Sequence, residues 1–501
     1  MVKMSVSFFN EGAYIRMTNN VNGVDVRINK ANLMIQKDSD LSFFLKNDTY
    51  ISYFNYDQVA VPSASNLTDL VNRLAGWNTS FNSNFTVNVE GTSTTTFSTA
   101  MLDSLSRLKV SGAPNTTLNI ITLYDKNATK IDELTAGSAT STHNAYKGTV
   151  NMTTAEVPGS KVIRQSKLYT PHVYGSQSVA VVGGVLTTNS NNSNVVSRIG
   201  VFDDAANVTL SNSQPTGNGL FFQYDNSNKL SLVYRTNATG SQVDTTVEQN
   251  AWNIDKLDGT GASTHVINVS THQNYVFEWN MVNPSMPSRA GIYYKDGIVY
   301  CHSFSSNVNF FGNPCLPVRW EIAHDASLGA VPDIATLTQG QATVYADETS
   351  YAPKRLYSYN NGSNMTLMTS NFTVPLMSLR LAPGFNRAKL HPKQLEIINT
   401  TAGGTGIWNI ILNSTLSNAT FSNVGNNSFA QYSSSETSAT GGLVVASGYI
   451  YDAGVKQVDL DFRDITLMSS INGTQDVLTV TMTNLLGTLN VTAGLEWIEQ
   501  E

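Results

Sequence analysis

Two aspartates in a turn-rich segment are the best candidates for metal ligands in this sequence. Asp255 and Asp258 lie within residues 252–261, which read WNIDKLDGTG. Carboxylates this close could bind calcium, but the segment lacks the D-x-D-x-D-G alternation that surrounds calcium with oxygens. The alternative is that both carboxylates accept backbone N–H bonds inside a structural turn. We predict the structural turn, with no metal and no other cofactor.

The other residues of this segment also fit a turn. Trp252 is an apolar anchor at its start. Gly259 and Gly261 permit positive φ, which most residues with a side chain avoid. The segment is therefore predicted to position the chain and not to react with a ligand.

The two cysteines are the next candidates for chemistry. Cys301 and Cys315 are close in sequence, and no further Cys or His stands at metal-ligand spacing. They are either two buried thiols that pack like small apolar residues, which is the prediction, or a disulfide, which would need an oxidising compartment.

Sequons of the form N-x-S/T recur along the chain and could accept glycans. Either they reflect a composition rich in Asn, Ser and Thr, or a route outside the secretory pathway glycosylates them. The candidate acceptors are Asn47, Asn84, Asn151, Asn268, Asn371 and Asn490.

Motifs of enzymes are missing. The chain has no G-x-S-x-G, H-E-x-x-H, C-x-x-C or G-x-x-x-x-G-K sequence. His324 precedes Asp325, a pair that is more typical of a surface than of a catalytic site. Arg319 is predicted to form a stabilising pair with Glu321 or with a carboxylate on a neighbouring strand. The chain is therefore predicted not to be an enzyme.

Charge and hydropathy exclude several classes of protein. The net charge is −7 over 501 residues, without a Lys/Arg cluster, so a nucleic-acid-binding surface is not expected. No stretch is long and apolar enough to span a membrane as a helix, and the N-terminus lacks the pattern of a signal peptide. Charged residues supply only 13%, against about 25% in an average domain. A polar but weakly charged surface suits packing against neighbouring protein copies, because few charges must lose water.

Period-two alternation dominates the chain and predicts strands with one buried face. Two hairpins are expected, one over residues 220–235 and one over residues 293–300. Short amphipathic helices are expected near Leu67 and near Met101. The predicted fold is mainly all-β, with several antiparallel β-sandwich or jelly-roll-like domains, a few short helices and an extended arm.

Shifts in composition predict four regions. Residues 1–88 form a small α+β unit, and residues 89–159 form a linker and an extended arm. Residues 160–352 form a central β-sandwich, and residues 353–501 form a C-terminal β domain. The arm is expected because this stretch has few aliphatic residues and would need a partner surface to become ordered.

Several segments resemble, in the same order, a family of structural proteins from the particles of tailed bacteriophages and large double-stranded DNA viruses. The resemblance runs from about residue 100 to the end, and residues 1–88 resemble the family's accessory N-terminal region less. The segments are residues 103–111 (DSLSRLKVS), 162–186, 198–204 (RIGVFDD), 219–224 (GLFFQY), 252–261, 293–300, 316–322 (LPVRWEI), 375–381 (PLMSLRL) and 494–497. Members are capsid, vertex, tail or fibre components without established catalytic residues, so the resemblance implies no active site.

The resemblance implies a protein of the virion that is assembled in the host cytoplasm. The predicted function is a minor capsid, cement or vertex-associated protein that binds other capsid proteins and forms a homo-oligomer, a trimer being one form. The alternative is a receptor-binding fibre that recognises host glycans. Its aromatic residues would be Tyr169, Tyr174, Phe310, Phe311 and Trp408. A glycan-degrading spike is a third class and would need a pair of carboxylates at the right separation. Asp203 with Asp204 and Asp459 with Asp461 are instead predicted to lie in turns and on exposed strand faces.

Overall fold

A computed structural model gives the backbone of six N-terminal strands and most of the chain from residue 115 to residue 500. The described part omits residues 173–176, 188–193, 205–216, 226, 280–287, 296, 305–310, 325–333, 347–353, 363–364, 368–370 and 461–464. The predicted helices near Leu67 and Met101 lie outside the described residues. Within the described part, no helix is long and apolar enough to cross a membrane.

The chain divides into two compact units. The first comprises residues 1–115, 175–177 and 295–299, and the second comprises the rest. In the first unit, four consecutive strands form an antiparallel sheet in the order β1-β2-β3-β4, and two more form a separate hairpin. The strands are β1 (Val2–Phe9), β2 (Gly12–Asn19), β3 (Val24–Ile28), β4 (Leu33–Lys37), β5 (Asn84–Val89) and β6 (Ser93–Ser98).

A central sandwich follows in sequence, and its first sheet has eight strands in the order β19-β18-β17-β12-β21-β10-β9, with β7 also paired to β21. The strands are β7 (Asn115–Ile120), β9 (Thr140–Asn144), β10 (Thr149–Thr153), β12 (Ser178–Val185), β17 (Gln273–Trp279), β18 (Arg289–Tyr294), β19 (Gly297–Ser303) and β21 (Thr336–Ala346).

The second sheet of the sandwich has seven strands in the order β16-β15-β14-β13-β20-β11-β8. The strands are β8 (Ile131–Ala136), β11 (Lys161–Ser166), β13 (Val195–Phe202), β14 (Gly219–Tyr224), β15 (Leu230–Thr236), β16 (Val243–Glu248) and β20 (Val318–His324). A single 3₁₀ turn at Gln249–Ala251 follows β16. The antiparallel pairing of β14 with β15 confirms the hairpin predicted over residues 220–235.

The core of the central sandwich lies between these two sheets. The Trp320 indole of β20 donates to the Gly183 carbonyl of β12 over 3.0 Å. The Phe222 ring of β14 lies 5.0 Å from the ring of Tyr275 and 5.7 Å from that of Phe277, both on β17. Burial of alternating apolar side chains from two facing sheets is the stabilising principle of a sandwich. It confirms the predicted fold class.

Residues 115–153 were predicted to belong to an extended arm, but they form strands of this sandwich. β8 pairs with β11, and β10 pairs with β9 and β21. A half-buried strand needs an apolar side chain only at every second position. Val150 and Met152 supply it on β10 and are fully buried. Few aliphatic residues were therefore enough for folding.

The C-terminal sandwich also belongs to the second unit. A five-stranded sheet has the order β22-β34-β25-β32, with β23 also paired to β34, and a six-stranded sheet has the order β28-β29-β24-β33-β26-β31. β27 and β30 form a separate pair. The strands are β22 (Lys354–Asn360), β23 (Met365–Leu367), β24 (Thr373–Leu381), β25 (Lys389–Asn399), β26 (Thr405–Leu412), β27 (Thr415–Ser417), β28 (Ser422–Asn423), β29 (Ala430–Ser433), β30 (Ser438–Thr440), β31 (Leu443–Tyr451), β32 (Gly454–Asp459), β33 (Val477–Leu486) and β34 (Leu489–Gln500).

One continuous apolar core joins the two larger C-terminal sheets. It includes Leu379 of β24, Ile397 of β25, Trp408 of β26 and Trp497 of β34. All strand pairs in this part of the described chain are antiparallel. The second unit therefore contains two sandwiches, one after the other in sequence.

Candidate functional site in the cleft between the two sandwiches

The turn at residues 252–261 uses both of its aspartates to hold the backbone. The Asp255 carboxylate accepts from the N–H groups of Leu257 at 2.9 Å and Ser263 at 2.8 Å. Asp258 accepts from the Thr260 N–H at 2.9 Å. Among the described residues, no group of three His, Cys, Asp or Glu side chains could hold a metal ion.

The two glycines of this turn serve different purposes. Gly259 has a φ of +87°, in the region that favours glycine. Gly261 does not need positive φ; a Cβ there would collide with the Asp255 carboxylate. Trp252 is buried, and its indole donates to the Val247 carbonyl over 3.1 Å. The segment therefore anchors the end of β16.

The cysteines do not form a disulfide in the structure. Cys301 is fully buried on β19, where its thiol donates to the Ala290 carbonyl over 3.2 Å. Burial raises the pKa of the Cys301 thiol well above its ordinary value. A thiol held in its neutral form is a poor nucleophile.

The predicted glycan acceptors lie in different surroundings. Asn268 and Asn371 are exposed in turns. Asn151 and Asn490 are half-buried on strands, where their side chains accept from Thr338 and Thr366 respectively. Asn84 lies on β5, and Asn47 lies outside the described residues.

The aromatic residues expected to stack on glycans are core residues wherever the structure describes them, so that expectation was wrong. Tyr169, Phe311 and Trp408 are all buried. The Phe311 ring stacks on the Tyr234 ring at 4.6 Å. Burying a large aromatic surface stabilises the fold strongly, which explains their placement. Tyr174 and Phe310 lie outside the described residues.

A cleft of about 620 Å³ lies between the central and C-terminal sandwiches. The central sandwich contributes β7, the turn at residues 128–130 and the residues that follow β11. The C-terminal sandwich contributes β25, the end of β26 and the start of β31. The apolar side chains that line the cleft from the C-terminal sandwich, here called the apolar wall, are Leu412, Leu443, Val445, Ile465 and Met468. This size is within the range of small-molecule sites, roughly 300–1,000 Å³.

Asp476 organises the polar floor of the cleft. Its Oδ1 accepts from Lys167 Nζ at 3.1 Å and from Asn413 Nδ2 at 2.8 Å. Its Oδ2 accepts from the Met468 N–H at 3.2 Å. Since Lys167 belongs to the central sandwich and Asp476 to the C-terminal one, the ion pair joins the two. The floor is therefore preorganised.

Positive charge predominates around the floor. Lys130 is exposed at the rim on the central sandwich, and Lys389 is half-buried on β25. His391 lies two residues further along β25, where Nδ1 is 3.1 Å from the Thr466 hydroxyl. Three lysines and one aspartate give the lining a net charge of +2 with His391 neutral.

Two further contacts hold the sandwiches beside the cleft. Arg387 pairs with Asp203 at 3.0 Å, and its guanidinium lies 5.3 Å from the centre of the Tyr169 ring. The Asp132 carboxylate accepts from the Ile471 N–H at 2.6 Å. Asp203 also accepts from the Gly217 and Asn218 N–H groups, as expected for an aspartate that holds a turn. Its hydrogen bonds give it a structural role.

An ionic cluster fills the outer face of the seven-stranded sheet. Glu321 of β20 accepts from Arg319 Nε at 2.9 Å and from Arg198 of β13 at 2.5 Å. The pairing of Arg319 with Glu321 was predicted and is confirmed. Burial alone would raise the pKa of Glu321, but the charges of Arg319 and Arg198 outweigh it and lower the pKa to about 2.

No family model matches the chain, and no curated protein matches it. Solved structures with similarity include an endo-β-1,4-glucuronan lyase from the fungus Trichoderma reesei, with 10% identity over 48% of this chain and 97% of that chain and a TM-score of 0.31. A carbohydrate esterase from the Shiga toxin-encoding bacteriophage phi24B has 13% identity, coverage of 47% and 100%, and a TM-score of 0.28. A legume lectin-like domain from Entamoeba histolytica has 10% identity, coverage of 48% and 100%, and a TM-score of 0.26. Similarity at this level does not assign a ligand or an activity to this chain.

Proposed function

We propose that this chain is a non-catalytic component of a virus particle and that it recognises host-surface glycans through the cleft between its two sandwiches. The observation that carries the proposal is the cleft itself, whose lining combines apolar side chains with hydrogen-bonding groups that Asp476 holds in place. A sugar ring presents hydroxyl groups around its edge and C–H groups on its faces. A site with both kinds of surface can bind both parts of the ring.

The polar groups of the cleft suit hydroxyl ligands. Asn413 and Thr466 carry side chains that donate and accept hydrogen bonds, and Asn119 on β7 adds a further amide. Because Asp476 already fixes Asn413, little side-chain entropy is lost when a ligand binds. The placement in a virion is supported by the resemblance of the sequence segments, and so is the absence of catalysis.

A substitution that fills the cleft tests the proposal. Thr129 is exposed and lines the cleft, so Thr129→Trp should obstruct it without disturbing a core. Thr239→Trp places the same ring on an exposed turn of the central sandwich away from the cleft. On a glycan array, the wild type and Thr239→Trp should bind the same glycans and Thr129→Trp should lose at least about tenfold in affinity, about 1.4 kcal/mol. Equal binding by all three proteins would place recognition elsewhere.

A structural role in the shell is the second candidate, because two edge strands are open and apolar. Among the described strands, β31 ends the six-stranded sheet and β32 ends the five-stranded sheet. Tyr449, Tyr451 and Val455 on these strands are each more than half exposed. An exposed apolar edge is a template for pairing with another chain. Cryo-electron microscopy of intact particles would support this role if density of a neighbouring subunit covers β31 and β32.

A further inference from the structure

We infer that the cleft takes a saccharide that carries a negative charge, such as a sialylated, uronic-acid or sulfated glycan. This inference rests on the proposed glycan recognition and names the class of ligand. It begins from a contrast in charge, since the whole chain carries a net charge of −7 and the cleft lining carries +2. An anionic ligand would find the cleft to be a positive region on an acidic protein.

The three lysines do not have the same role. Lys167 is bound to Asp476, so its charge is largely compensated and it holds the floor. Lys130 lies at the rim, and among the described residues no carboxylate lies within ion-pair distance of its ammonium group. Lys130 is therefore able to donate charge-assisted hydrogen bonds to a ligand.

Lys389 enters the cleft from the C-terminal sandwich. It lies two residues before His391 on β25, and side chains two apart on a strand point to the same face. Lys389, His391 and Thr466 therefore form a polar edge on one sandwich, while Lys130 lies on the other. A ligand between them would lie near positive charge on both sandwiches, and Lys130 would contact it directly.

An anionic sugar uses this arrangement better than a neutral one. Hydrogen bonds from an ammonium group to a carboxylate or sulfate are roughly twice as strong as bonds between neutral groups. The apolar wall around Leu412 and Ile465 would pack against the ring or an acetyl group. A neutral sugar would gain only the wall contacts and the weaker hydrogen bonds, so it should bind less tightly.

Isothermal titration calorimetry with matched oligosaccharides tests the inference on the full chain. Lactose and sialyllactose differ by one charged residue, and an oligoglucuronate and a sulfated disaccharide distinguish carboxylate from sulfate sources. At least one of the three acidic ligands should bind about tenfold or more tightly than its neutral counterpart, with affinity falling as salt rises. Lys130→Gln should lower that affinity severalfold. Lys147→Gln, on an exposed turn outside the cleft, is the matched control and should leave it unchanged.

The outcomes separate the inference from the proposed function. Equal binding of lactose and the acidic ligands would overturn the inference and leave glycan recognition standing. No binding of any glycan on the calorimeter or the array would overturn both. Inorganic phosphate or sulfate that matches the affinity of the acidic glycans would also overturn the inference, because the cleft would then bind an anion without its sugar. Unchanged melting temperatures of both variants would show that a lost affinity does not come from unfolding.

Discussion

Glu321 is buried on β20 among arginines, and its ionisation contributes to stability in a defined pH range. Its pKa falls from an ordinary 4.5 to about 2 in the folded protein. At pH values between these two pKa values, the folded state therefore binds fewer protons than the unfolded state. The contribution is complete above about pH 4.5 and is lost as the pH falls towards 2.

Glu321→Gln tests this contribution. We expect the variant to be less stable than the wild type by roughly 3 kcal/mol at pH 7, because Arg319 and Arg198 lose their charged partner. The difference in the free energy of unfolding should shrink as the pH is lowered from about 5 to 2, and urea titrations at several pH values would measure it. Glu248→Gln, in the exposed pair with Lys229, should leave stability nearly unchanged, because water screens this pair. If the difference in the free energy of unfolding between Glu321→Gln and the wild type stays constant over this pH range, the account of Glu321 is contradicted.

Gly261 gives a second prediction at this scale. Gly261→Ala should destabilise the chain by about 1–3 kcal/mol, because the added methyl group meets the Asp255 carboxylate. Gly425→Ala is the control, since a Cβ there meets no atom within 4 Å. Thermal unfolding would compare the two. If both variants melt with the wild type, Asp255 does not hold the turn as described.

The ion pairs of Glu321 and the turn around Asp255 could be predicted in part from the sequence. Asp255 and Gly259 form a local turn, so their spacing alone indicated hydrogen bonding and positive φ. Glu321 lies two residues after Arg319 on a strand, which predicted their pairing. The second partner, Arg198, lies on β13 and is brought to Glu321 only by strand order. Local alternation does not specify which strands become neighbours.

At the scale of elements, the two open edge strands β31 and β32, one in each sheet of the C-terminal sandwich, give a prediction about association. If these strands contact neighbouring copies, Tyr449→Lys combined with Tyr451→Lys should weaken self-association, because charge on an edge strand opposes pairing. Sedimentation velocity over a range of concentrations would measure the change.

The matched control uses another edge. Leu356 is also exposed, on β22 at the far end of the five-stranded sheet. Leu356→Lys should associate like the wild type. Association that persists unchanged in the double tyrosine variant would exclude β31 as the contact.

Strands were predicted well where apolar and polar side chains alternate regularly, and poorly where this alternation is weak. The β14–β15 hairpin followed from two apolar runs around an Asn-rich turn. β8 and β9 did not, because IDELTA and TSTHN carry mainly polar side chains. Their pairing with β11 and β10 supplies the stabilisation that their own residues lack. The polar composition of β8 and β9 was therefore wrongly taken as evidence for an extended arm.

At the scale of the whole molecule, the cleft exists only because two sandwiches are joined in one compact unit. Lys130 and Lys167 come from one sandwich, and Lys389 and Asp476 from the other. No spacing in the sequence connects residues so far apart. Of the aromatic residues chosen from the sequence, Tyr169, Phe311 and Trp408 are buried. Loop positions could not be distinguished from core positions before the packing of the strands was known.

The most direct measurement of the central claim is a crystal structure of the full chain with the oligosaccharide that binds most tightly on the array. The account predicts density for the sugar in the cleft, with its polar groups near Asn413 and Lys130 and its apolar face against Leu412. Density at another surface, or a cleft that stays free of sugar under conditions that saturate binding in solution, would contradict it.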